Sequence, residues 1–197
     1  MIVINVLMFI GTYVLLGDQG RLQLAAFIPG STYFEPYQIA THMFMHANLG
    51  HLFFNMLALY FFGPMVEMVW GHKRFLIYYI ICGLGAYALH MSVEYWELTN
   101  QGIDPAMSNV PMLGASGAIF GVMTAFAYLF PNQIVSLLFP PISLKAKYFV
   151  PIMAGIELIY GVQGSGGGVA HFAHLGGALA GFIMLMIWYK GRFRNMY

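Results

Sequence analysis

Residues 49–93 read LGHLFFNMLALYFFGPMVEMVWGHKRFLIYYIICGLGAYALHMSV, two apolar runs split by a short basic turn at Lys73 and Arg74. Each run approaches the roughly 20 residues that a helix needs to cross the hydrocarbon of a bilayer. In lipid the backbone must satisfy its own hydrogen bonds, which leaves helices or closed barrels. The runs are continuous rather than alternating with period two, and that selects helices. Working outward, further apolar stretches occupy residues 2–16, 113–130, 148–162 and 169–189. Six spans are therefore expected, the first and fifth being short at 15 residues each. Composition agrees: 60% of the chain is hydrophobic and 8% charged, against about 25% charged in soluble domains. With 23 Gly and 15 Met, the chain suits close helix approach and adaptable packing. The fold class expected is an all-α membrane protein, a six-transmembrane-helix bundle forming a single domain over residues 1–197.

The eight basic residues orient that bundle. Lys73 and Arg74 follow the second span, Lys145 and Lys147 the fourth, and Lys190, Arg192 and Arg194 the sixth, while only Arg21 falls on the opposite side. The positive-inside rule then puts the seven in the cytoplasm, and both termini with them. Asp18, Glu35, Glu94, Glu97 and Asp104 lie outside. The first span lacks a basic stretch before it and a small-residue cleavage site after it, so it reads as a retained anchor. A net charge of +1 gives no sign of a nucleic-acid partner. The single Cys82 reads as a packing residue.

Three connections stand out. Residues 17–48 carry Phe27, Ile28, Tyr33, Phe34, Tyr37 and Ile39, too apolar for a free aqueous loop, so short interfacial helices partly embedded in the outer leaflet are expected. Residues 94–112 start polar and return through Pro105 and Pro111. Residues 163–169 contain Gly164, Gly166, Gly167 and Gly168, either a plain linker or a lid.

Polar side chains inside spans are costly and need a partner or a purpose. The second, fourth and sixth spans all run from outside to inside, and each carries its polar residues near its start: His51 and Asn55, then Ser116, then His171 and His174. These share a depth in the outer half of the membrane. His51 and Asn55, four apart, project from one helix face. Gly117, Gly121 and Ala125 recur at spacing four in one span and Ala173, Gly177 and Gly181 in another, the pattern of small residues that lets two backbones approach. Such a crossing brings Ser116 to His174. A hydroxyl nucleophile, an imidazole base and two neutral donors are what acyl transfer requires. A lone Ser in such a helix more often bonds its own backbone, so the weight rests on the set. With no acid near His174 in sequence, a dyad is expected; Glu157, the only acid central to a span, is a candidate third member, although a structural pairing well below the site is the favoured reading.

These residues resemble a known family, the rhomboid proteases. Gly114-Ala115-Ser116-Gly117 resembles the family's G-x-S-G nucleophile motif, and Ala173-His174 with Gly177 and Gly181 its A-H-x-x-G-x-x-x-G helix. His46 to Asn55, HANLGHLFFN, resembles H-x4-H-x3-N, and Thr41-His42 and Gly63-Pro64-Met65-Val66-Glu67 are also similar. The resemblance runs from about Pro36 onward. It implies a bacterial-type six-helix core in the inner membrane. It also implies an oxyanion hole of His51, Asn55 and the Ser116 backbone N–H, with the Ala115 N–H as helper. Phe120 would pack on the catalytic His ring. The cavity would open to the outside, gated by the fifth helix and the loop before the sixth, and residues 17–48 would be the membrane-embedded first loop. There the chain departs from the family in lacking a Trp-Arg pair.

The reading is an intramembrane serine endopeptidase acting on transmembrane protein substrates within the bilayer, without cofactor or metal. His42 and His46 stand at metal-ligand spacing but have no acid between them, so hydrogen bonding to the first loop is expected instead. His171 and His90 read as satisfied interfacial residues, and His72 as solvated. The main alternative is a catalytically silent rhomboid-like protein that binds membrane clients. A transporter rests on Glu157 alone and lacks an inverted repeat.

Overall fold

The computed structural model of the protein describes residues 1–137, 141–164 and 170–193. Helix α1 (Ile2–Ile10) continues as a wider π-helical stretch, Gly11–Leu16, into α2 (Gly17–Leu24). After α3 (Gln38–Thr41) and a 3-10 turn at His42–Phe44 comes α4, Leu49–Asn100. Its two arms meet at Gly71, where φ 75° and ψ 164° break the helix. That backbone conformation favours glycine. The second arm folds back beside the first, so that the Phe75 ring lies 3.6 Å from where a Gly63 Cβ would stand. At the turn His72 is exposed, as expected of a solvated residue, and its Nδ1 also pairs with Glu67 Oε1 at 2.5 Å. Helices α5 (Ser116–Leu129), α6 (Ala146–Gln163) and α7 (His171–Phe193) complete the chain.

Several sequence boundaries need correction. The fold is mostly helical but not all-α: β1 (Ile134–Ser136) and β2 (Ser143–Lys145) form an antiparallel hairpin between α5 and α6. Ile134 and Val135 are β-branched and fit such a ladder. The second arm of α4 stays helical through Asn100 rather than ending at Val93, because polar residues lengthen a helix into water as readily as they end one. Helix α5 begins at Ser116 and not at Leu113. The residues before it are extended, and Met112 exchanges two backbone hydrogen bonds of 2.8 Å with Ala26.

Residues 17–48 form a cap tied together by hydrogen bonds to its own backbone carbonyls. The Gln38 amide donates to the carbonyls of Gln23 (3.1 Å) and Tyr33 (2.9 Å), and Thr41 Oγ1 donates to Leu24 O at 2.8 Å. Arg21 Nη2 donates to Ala47 O at 2.8 Å. Beneath these bonds Ala25, Ala26, Phe27, Ile28, Met43 and Met45 are buried, as the apolar content of the segment requires.

The core is a three-way contact of α4, α5 and α7 through small residues. A Cβ on Gly121 would stand 3.0 Å from Gly177 O and one on Gly117 would stand 3.1 Å from Ala173 O. One on Gly181 would stand 3.1 Å from Gly121 Cα. The second arm of α4 joins through Cys82, Gly85 and Ala86, against Gly121, Ala180 and Gly117 respectively. Tyr78 OH donates to Gly121 O at 2.9 Å, and Trp70 Nε1–H donates to Tyr189 OH at 2.8 Å. Outward faces are apolar: Leu15, Met68 and Val162 are exposed. Leu49–Asn100 and His171–Lys190 are long and apolar enough to cross a membrane, and Ile2–Leu16 and Ser116–Leu129 are shorter apolar helices.

Candidate active site

Ser116 opens α5, with Ala115 as its N-cap. Its approach is set by Gly114, whose φ of 136° suits glycine. A Cβ there would also stand 2.9 Å from His51 Cε1 and 3.0 Å from its Nε2. The Gly114 N–H donates to His42 O at 3.0 Å. The first residue of the nucleophile motif is thus held from the cap side, with the Cε1–Nε2 edge of His51 where a side chain on the glycine would stand.

His174 stands in the first turn of α7, and its Nε2 lies 2.7 Å from Ser116 Oγ. The Phe120 ring, one turn below Ser116, stacks on the imidazole with centroids 4.5 Å apart and planes 4° from parallel. Stacking and hydrogen bond together leave the ring little freedom to turn. The close α5–α7 crossing at Gly117, Gly121, Ala173, Gly177 and Gly181 makes the 2.7 Å approach possible, since any side chain in that seam would part the helices.

His51 begins α4, where Asn48 Oδ1 accepts its backbone N–H at 2.8 Å. Its Nδ1 accepts the Ala47 N–H at 3.3 Å. An acceptor nitrogen carries no proton, so in the neutral ring the hydrogen sits on Nε2, the atom that faces Gly114. Asn55, one turn on, is buried, and its Nδ2 donor has no hydrogen-bond partner among the described residues.

Glu157 is not below the site. Its Oε2 lies 2.6 Å from His171 Nδ1 and 2.9 Å from His174 Nδ1. The first contact is a hydrogen bond; in the second, the N–H direction is bent too far for one, leaving an electrostatic contact. Depth counted along α6 alone is misleading because α6 and α7 are antiparallel neighbours. Gly161 abuts His171 and Phe172, so Glu157, one turn earlier on that face, comes level with His174, one turn later on its own. The sequence raises Glu157 as a third member but places it below the site, and this register is the signal that corrects its depth. His171 is a satisfied residue, as expected, with Glu157 as its partner and Tyr160 stacked beside it at 5.7 Å.

His42 and His46 are buried, and neither ring has a well-formed hydrogen bond; the backbone groups of Ile39 and Phe44 come near without the right geometry. Hydrogen bonding of these rings to the first loop is therefore corrected: His42 works through its carbonyl. Burial lowers both to about 4, so the rings are neutral. Among the described residues no group of three or more His, Cys, Asp or Glu is arranged to hold a metal. The glycine segment proposed as a lid lies, apart from Gly164, outside the described residues.

A Rhomboid domain family model matches residues 33–191. The chain belongs to the rhomboid family. Rhomboids are integral membrane proteins, in keeping with the apolar helices described above. This rhomboid is 32% identical over 165 residues to the rhomboid protease AarA of Providencia stuartii, covering 78% of the chain and 58% of that protein. It is 32% identical over 174 residues to the mitochondrial RHOMBOID-like protein 12 of Arabidopsis thaliana, covering 80% and 48%. To the rhomboid protease GluP of Bacillus subtilis it is 29% identical over 150 residues, covering 75% and 25%. The chain spans about half the length of the first two of these relatives and a quarter of GluP's.

Proposed function

We propose that this rhomboid is an intramembrane serine endopeptidase that cleaves a peptide bond in or near the transmembrane segment of another membrane protein. The reading rests on the 2.7 Å contact between Ser116 Oγ and His174 Nε2, made across two helices by residues 58 apart in sequence. His174 Nε2 takes the hydroxyl proton as Oγ attacks the scissile carbonyl. The tetrahedral oxyanion is met by His51 Nε2–H and Asn55 Nδ2–H, with the backbone N–H groups of Ser116 and Ala115. His51 is suited to this by its tautomer, and Asn55 by an unspent, buried donor. On collapse, Nε2 returns the proton to the leaving amine, and water then hydrolyses the acyl-enzyme by the same route. A transmembrane helix must unwind locally before its carbonyl reaches a serine, so substrates with breakable helices are favoured.

In this reading the chain is one domain of six spans, the arms of α4 supplying two, with both termini cytoplasmic and the membrane a bacterial inner membrane. Charge sorting supports that topology: Lys73 and Arg74 at the α4 break, Lys145 and Lys147 at the start of α6, and Lys190 near the end of α7.

The test is cleavage of a model transmembrane substrate by the purified chain in detergent, with Ser116→Ala as control. Cleavage by the native chain and none by the variant is expected. Equal cleavage by both rejects the nucleophile. No cleavage by a folded native chain, with client binding retained, moves the protein to the silent binding class.

A further inference from the structure

We propose that Glu157 is the positioning acid of His174, and that His171 is the second donor holding its carboxylate in place. The proposal rests on the protease reading above and deepens it.

For Nε2 of His174 to accept the Ser116 proton, the neutral ring must carry its hydrogen on Nδ1. That nitrogen faces Glu157 Oε2 at 2.9 Å, and a carboxylate accepts but does not donate. The acid therefore selects the competent tautomer. When Oγ gives up its proton the ring becomes an imidazolium, and the same oxygen then faces a full positive charge in surroundings where Glu157 and His174 are both buried. The bent resting contact fits that sequence, because catalytic hydrogen bonds are often poorly aligned without substrate and tighten on reaction.

His171 alone would satisfy the carboxylate as a structural partner. Two observations argue for more. The same oxygen, Oε2, faces both Nδ1 atoms, so the carboxylate is aimed between the rings and not at His171 only. And α6 carries this acid at the single level where α7 presents its two histidines, fixed by Gly161 against His171 and Phe172. A buried acid costs too much to sit there without such partners. Among the described residues His51 and His90 on α4 also interact electrostatically with His174, and neither supplies negative charge.

The experiment compares the native chain with Glu157→Gln, Glu157→Asp and His171→Ala in detergent micelles, with folding checked by circular dichroism and thermal unfolding. Two readouts are taken: kcat and KM on a model substrate, and the ring-nitrogen signals of 15N-histidine protein, with His174 assigned from the spectrum of His174→Gln. Glu157→Gln keeps the shape but can turn an N–H toward Nδ1. Its kcat should fall on the order of 10²–10⁴-fold with KM within about threefold, Glu157→Asp should recover part of the loss, and the Nδ1–H tautomer of His174 should be depleted. A folded Glu157→Gln within about threefold of native kcat, or with unchanged His174 ring signals, overturns the proposal while leaving the protease reading intact. If the native chain cleaves nothing, the protease reading falls separately, and the ring-nitrogen signals decide the Glu157–His174 pairing alone.

Discussion

Gly177→Ala tests whether the α5–α7 seam aims the two reacting groups. A Cβ at 177 would overlap the Gly117 carbonyl oxygen and stand 2.5 Å from its carbonyl carbon and 3.2 Å from its Cα. These are backbone atoms, so no rotamer relieves the overlap. Ordinary contact begins at 3.4 Å, so the helices must part by about 0.9 Å to clear the carbonyl carbon and further to clear the overlapping oxygen. Carried to the neighbouring turn, this stretches the 2.7 Å contact between Ser116 and His174 to at least about 3.6 Å, which is no longer a hydrogen bond. A displacement of this size at reacting groups costs on the order of 10²-fold in rate, and overpacking adds about 1–3 kcal/mol of destabilisation. Both are measurable on one preparation, by substrate cleavage and by thermal unfolding in detergent. The control is Gly155→Ala on α6, where nothing stands within 4 Å of the new methyl; it should leave cleavage intact and stability equal or higher. A Gly177→Ala chain that cleaves and melts like the native one would refute the idea that backbone contact sets the catalytic distance.

Asn55→Ala removes a buried donor that has no partner among the described residues, so stability should hold or rise slightly while kcat falls about 10²–10³-fold at similar KM; a loss of stability with kcat kept would make Asn55 a structural residue instead. Stability should also fall in acid. His42 and His46 stay neutral when folded down to about 4, whereas in the unfolded chain they take up protons near 6.5. Their contribution is full above about pH 6.5 and is lost as pH drops toward 4, by a ceiling of about 3 kcal/mol per ring. Thermal unfolding of the native chain and of His42→Gln with His46→Gln across that range checks this, and an equal acid response in both would exclude these rings as its source.

Much of the site is readable from spacing because helices are periodic. Small residues at intervals of four announce the α5–α7 seam, and polar residues at the starts of three parallel spans announce a common depth. What spacing leaves out is the register between antiparallel neighbours, and Glu157 shows the cost: placed by its own helix it is a midspan acid, but beside Gly161 and His171 it belongs to the imidazole. The third face of the seam, Cys82, Gly85 and Ala86, is harder to see because it offers a single interval of four, Cys82 to Ala86, where the other two faces offer two each. The hairpin escapes because three-residue strands fall below any periodic signal.

The paired backbone bonds between Ala26 and Met112, with the Gly114 bond to His42 beside them, mean that the cap of residues 17–48 works as a lever on the nucleophile. Its side chains can vary widely so long as the cap stays rigid, yet loosening it anywhere would swing the chain leading to Ser116 off its line. Alterations far from the reacting atoms should then be felt as a loss of aim.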